Sequence, residues 1–215
     1  MPIPEWKWER IAMDFVVGLP KTLGKFDSIW VIVDRLTKSA HFIPVKMTYN
    51  ADKFAKLYIS EIVRLHGVPL SIISDRGTQF TSMFWRTLHA ELGTRMDLST
   101  SFHPQTDGQP ERTIQVLEDM LRACVIEFGG HWDKFLSLVE FSYNNRYNSS
   151  IDMKPFEALY GRRCRSTIGF FDAFEVRPWG TDVLRESLEK VKFIQEKLLE
   201  AQSRQKEYVD QKVRD

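Results

Sequence analysis

Five consecutive residues, 70–74 (LSIIS), show no polar alternation and follow directly on a segment of helical periodicity. A short apolar run of this kind is a strand buried on both faces, and a helix feeding straight into it calls for a parallel crossover. The feeding helix is well marked. Asn50 stands as N-cap, Phe54, Ala55, Tyr58, Ile62 and Leu65 keep helical spacing over 51–66, and Gly67 with Pro69 close it. Upstream lie three further strands. Residues 11–17 (IAMDFVV) and 28–33 (SIWVIV) read as buried strands, 34–38 as a polar hairpin turn, and 41–46 as an edge strand carrying Pro44. Trp6 and Trp8 alternate with charge before them, as an edge strand or a clasp on the core. The chain is therefore expected to be α/β, with a mixed sheet whose parallel strand arrives through a helical crossover.

Downstream, the spacing predicts a helix over 79–92 and a short strand over 95–98. Residues 99–107, rich in Ser, Thr, Pro and Gln, read as a loop. Asp107 is placed to cap the next helix, with Gly108, Gln109 and Pro110 in its first turn, where a missing N–H costs nothing. That helix carries Ile114, Leu117, Leu121, Cys124 and Phe128 as one stripe, while Glu111, Gln115, Glu118 and Arg122 mark a polar face. Gly129-Gly130 stop it. A helix over 132–146 turns Trp132, Phe135, Leu136, Val139 and Tyr143 inward, and Pro155 opens a short helix ending at Gly161. Residues 169–180 are irregular and aromatic. From 181 to about 212 one long helix is expected, with a heptad-like seam through Leu184, Val191 and Leu198. It reads either as a linker or as a helix folded back on the core.

At 215 residues the chain can bury one full core with an appended element. It has no apolar stretch of membrane-span length and no signal-peptide core at its start, so a soluble intracellular protein is expected. Two cysteines, Cys124 and Cys164, without CxxC spacing, argue for buried thiols and against a zinc site. A net charge of +1 excludes a basic field over the whole surface. The local cluster Arg162, Arg163 and Arg165 is either a solvated surface or a track for a phosphate backbone.

Three acids occupy unusual positions. Asp14 sits inside an apolar strand, where an unpaired carboxylate is costly. Asp75 follows the buried strand at its C-terminal end, where sites in α/β sheets commonly lie. Glu111 stands near the start of the amphipathic helix, with 35 residues between it and Asp75. Each has a plainer explanation: partners that satisfy Asp14, or a favourable helix dipole for Glu111. Asp34 is expected as a turn residue and His41 as a lining of a strand face. Gathered together, three carboxylates repel unless cations intervene, and Mg²⁺ or Mn²⁺ prefers such oxygen ligands. Neither GxxxxGK[ST] nor GxSxG occurs, which disfavours nucleotide hydrolysis and serine-nucleophile chemistry and leaves a phosphodiester as the expected substrate. Two ions would suit an in-line displacement there.

The order of Asp14, Asp75 and Glu111 resembles the D,D-35-E signature of retroviral and retrotransposon integrases. The phrases DFVVGLP, SIWVIVDRLTKSAHFIPV, SDRGTQFTS, FHPQTDGQPERTIQ and EALYGRRCR resemble integrases of gypsy-type long-terminal-repeat retrotransposons, particularly plant elements. The resemblance implies a ribonuclease-H-like fold with a five-stranded mixed sheet flanked by helices, and a catalytic core over 1–168 followed by a linker and long C-terminal helix over 169–215. It implies that Asp14, Asp75 and Glu111 bind two Mg²⁺ (or Mn²⁺) ions and drive strand transfer of element DNA ends into target DNA. It implies DNA contacts from His103, Gln105, Thr106 and Asp107, and from the helix face of Gln115. A homodimer or higher oligomer, acting on double-stranded DNA in the nucleus after a cytoplasmic particle stage, completes the expectation. The alternatives are an inactive or co-opted binding module and a ribonuclease-H-like nuclease.

Overall fold

The structure is a computed structural model that describes residues 4–74, 93–98, 104–164, 189–194 and 196–197, without the side chains of 96–98 and 104–111. Its centre is a sheet of five strands: β1 (Arg10–Val16), β2 (Ser28–Asp34), β3 (Ala40–Val45), β4 (Ser71–Ser74) and β5 (Arg95–Leu98), in the order β3-β2-β1-β4-β5. β1, β2 and β3 form an antiparallel meander. β4 then pairs parallel with β1, and β5 parallel with β4. The crossover expected from the LSIIS run is thus present, and Pro44 lies on an edge strand.

The crossover begins with α1 (Ala51–Tyr58), whose N-cap Asn50 accepts a hydrogen bond from the Lys53 N–H. The expected single α-helix over 51–66 needs a correction. A π turn, Ile59–Val63, interrupts it before α2 (Arg64–His66). A π turn takes up extra residues and rotates the stripe. Ile62 is buried by it, while Leu65, expected inward, is 48% exposed.

The strand pleat separates two cores. On one face Ile11, Met13, Trp30 and Ile32 pack against Phe54, Tyr58 and Ile62 of the crossover. On the other, Val16, Ile29, Val31 and Val33 meet α3 (Pro104–Phe128) through Leu117, Met120, Leu121 and Cys124. A 3₁₀ turn (Trp132–Lys134) and α4 (Leu136–Asn144) complete this second core, with Trp132, Phe135, Leu136, Val139 and Tyr143 all buried as expected. The short helix α5 (Pro155–Tyr160) starts on its proline and ends at Gly161, whose φ of +70° suits a residue without a side chain. Residues 189–194 are helical, and Ile194 joins the cluster under α3. Phe193 packs edge-on against Phe128, and the Lys190 ammonium lies over Phe128 and Phe135. This stretch packs on the core, and the rest of the long helix expected from 181 to about 212 lies outside the described residues apart from 196–197. The expected helix over 79–92 lies outside the described residues.

A second correction concerns the start of α3. The loop expected over 99–107, capped by Asp107, is helical from Pro104 onward. Both Pro104 and Pro110 fit a first helical position, and the helix uses the earlier one. Pro110 then lies inside the helix, where it cannot donate to the carbonyl of Thr106. Glu111 becomes the eighth helical residue, about 10 Å along the axis from the start.

Candidate active site

Asp14 is held at the middle of the sheet. β2 pairs with β1 on one side, with Val31 opposite Asp14, and β4 pairs on the other. Since Ile11, Met13 and Phe15 belong to the crossover side, the alternation of the strand sends Asp14 to the face of Val16 and Val31, under α3. It is half-buried, and its Oδ1 accepts the backbone N–H of Phe15 at 2.7 Å.

The parallel register carries β4 to the same level. Ser74, the residue before Asp75, is paired with Met13, the residue before Asp14. Asp75 itself lies outside the described residues. Glu111 lies on α3, which packs on β1 and β2, and its side chain is not among those described. One and two turns further along the same face, Gln115 and Glu118 are exposed. Among the described residues, no three His, Cys, Asp or Glu side chains form a group suited to a metal ion.

Of the residues expected to touch DNA, His103 and Arg165 lie outside the described residues. Gln105, Thr106 and Asp107 belong to the first turn of α3 rather than to a loop. Arg162 and Arg163 are exposed just beyond α5, and Arg163 Nε lies 3.3 Å from Glu157 Oε1. The described contacts tie that end of α5 away from Asp14. Lys7 Nζ donates to the Leu159 carbonyl, and Leu159 packs on the crossover face of the sheet.

Two polar groupings escaped sequence reasoning. The Thr113 and Tyr143 hydroxyls meet at 2.9 Å between α3 and α4, both buried, and burial raises the Tyr143 phenol above its ordinary range. His41 Nδ1 lies 3.1 Å from Glu140 Oε1, and its Nε2 lies 2.9 Å from His66 Nε2. Trp8 stacks on His66 at 3.8 Å, so the N-terminal tryptophan does serve as a clasp. The partners stand 99 and 25 positions apart, and no local spacing announces them.

No protein-family model matches the chain. Curated relatives include the transposon Tf2-3 and Tf2-4 polyproteins of Schizosaccharomyces pombe, each 36% identical over 161 residues. The match covers 74% of this chain but 12% of each polyprotein. Among solved structures, a chain of the simian T-cell lymphotropic virus intasome in complex with PP2A regulatory subunit B56 gamma superimposes with a TM-score of 0.63. It is 17% identical, and the alignment covers 83% of this chain and 61% of that one. The HTLV-2 integrase catalytic core domain in complex with magnesium, in its trimeric form, gives 0.57 at 15% identity, covering 70% and 95%. The catalytic core domain of BIV integrase gives 0.55 at 22% identity, covering 72% and 95%.

Proposed function

This chain belongs with the integrase cores of long-terminal-repeat retrotransposons, and on that premise we propose that it catalyses strand transfer of element DNA ends into target DNA. One observation carries the proposal. A half-buried carboxylate, Asp14, projects from an inner strand toward the face covered by the helix that bears Glu111, while Ser74 brings the chain to within one residue of Asp75 beside it. The donor set is all carboxylate oxygen, which fits a hard divalent cation, and an acid on an apolar sheet face gains from one. Asp14, Asp75 and Glu111 would hold Mg²⁺ or Mn²⁺. When bound, two such ions lower the pKa of the attacking hydroxyl and offset charge on the leaving oxygen. The HTLV-2 core was solved with magnesium, which supports that choice.

In this reading β1 and β4 fix two carboxylates through the sheet, and α3 sets the third. Gln115 on the exposed face of α3, the first-turn residues Gln105, Thr106 and Asp107, and His103 before them contact the DNA end. Arg162, Arg163 and Arg165 follow phosphates of the duplex farther from the reacting bond. The HTLV-2 core is known in trimeric and dimeric forms, which supports an oligomer here. With double-stranded DNA as its substrate, the chain would work in the nucleus, after a cytoplasmic particle stage.

The test is direct. Purified protein, Mn²⁺ and a labelled terminal-repeat duplex are expected to yield strand-transfer or disintegration products. Asp14→Asn and Glu111→Gln are expected to abolish them. Products that survive either change overturn the assigned site, and cleavage of an RNA–DNA hybrid alone assigns the chain to nucleases of the same fold.

A further inference from the structure

α4 is locked to the sheet. The Asn144 amide donates to the Ala40 carbonyl and accepts the Ala40 N–H, both at 2.8 Å, and Glu140 Oε2 accepts the Phe42 N–H at 2.7 Å. Tyr143 lies between these two anchors, with its ring edge-on to Phe42 at 5.5 Å. Its hydroxyl is therefore a fixed point relative to β1 and to Asp14.

α3 is less constrained where it matters. Leu117, Met120, Leu121 and Cys124 seat the middle of the helix by apolar contact, which is non-directional. Pro110 deprives the turn before Glu111 of one internal hydrogen bond. Among the described side chains of α3, Thr113 is the most N-terminal that is buried, 4% exposed, and its hydroxyl meets that of Tyr143 at 2.9 Å. A hydrogen bond between two buried hydroxyls tolerates little rotation or sliding, because a displaced partner is left unsatisfied.

We propose that Thr113 and Tyr143 are positioning residues for Glu111, fixing the rotation and depth of the helical turn that carries it relative to the sheet that carries Asp14. This inference rests on the proposed metal site. Thr113 touches neither DNA nor metal; it acts through the backbone two residues away. The pair gives the helix start a directional reference that the apolar stripe cannot supply.

The experiment measures Mn²⁺ affinity of the whole chain by calorimetry, beside thermal unfolding. Thr113→Val and Tyr143→Phe are each expected to weaken Mn²⁺ binding about 10-fold, the scale for partners that orient metal ligands. Thr113→Ser, which keeps the hydroxyl, is expected to restore wild-type affinity. The double variant is expected to bind no more weakly than either single one, since both remove one bond. Cys124→Ala, a buried change farther along α3, is expected to lower the melting temperature and leave affinity unchanged. Wild-type affinity in Thr113→Val, additive losses in the double variant, or an equal loss in Cys124→Ala would each overturn the proposal. Asp14→Asn separates this from the reading beneath it. If Asp14→Asn leaves Mn²⁺ binding intact, or the wild type binds none, the metal site itself falls and the positioning role with it. If Asp14→Asn abolishes binding while Thr113→Val does not weaken it, only the positioning role falls.

Discussion

Two aspartates in apolar strands show how differently one residue type is used. Asp34 is fully buried at the end of β2 and accepts the N–H groups of Trp8, Leu36 and Thr37 and the Thr37 hydroxyl. Its carboxylate knots the β2–β3 turn to the N-terminal clasp, as a buried charge with several donors must. Asp14 keeps partial exposure and faces the helix. The nearby histidine pair supplies a pH response. Burial, and then neighbouring His41, lower the His66 pKa to about 4 from 6.5. Between those values the unfolded chain takes up a proton that the folded chain refuses, so stability is full above about pH 6.5 and declines as pH falls toward 4. Urea midpoints followed from pH 7 to 4 are expected to drop, and His66→Gln is expected to flatten that drop between pH 6.5 and 5; equal slopes would place the acid sensitivity elsewhere. Asp34 was legible as a turn residue because its partners are mostly local. His41 was not, because its carboxylate partner arrives from a distant helix.

The edge strand β3 is sealed along its outer side. Asn144 occupies both backbone groups of Ala40, Glu140 takes the Phe42 N–H, and Pro44 has no N–H to offer. Asn144→Ala leaves a buried N–H and carbonyl without partners. A loss of about 2 kcal/mol in urea unfolding is expected, together with self-association visible by light scattering as the edge opens. Unchanged stability would mean that water replaces the amide. Of the elements, the strands and the crossover were readable from apolar runs, and Pro44 from its chemistry. The start of α3 was not, because two prolines six residues apart satisfy the same rule and only tertiary packing chooses between them. The π turn was equally hidden: the apolar spacing over 51–66 fits an unbroken helix.

At the scale of the whole molecule, two cores share one sheet, and the later part of the chain returns to the second. Ile194 is fully buried in the cluster that holds Leu117 and Val139. Ile194→Ala is therefore expected to destabilise the entire domain by about 3 kcal/mol, read as one cooperative transition. A separate, low-temperature transition, or none at all, would show that the helix is dispensable to the core. The heptad-like seam pointed to a buried face on this helix, but nothing in it named the surface that the face would meet. The acids were legible by their misplacement, Asp14 above all. The pairing that levels Ser74 with Met13 was not, since it depends on strand order and register. The rung that joins Met13 to Ser74 has a consequence for descent. Peptide groups, which every sequence possesses, set the gap between these neighbouring strands at about 4.8 Å. Mutational drift can rewrite helices and surfaces while that gap stays put. Chains only 15–22% alike can then retain one architecture, as this chain and the viral cores do.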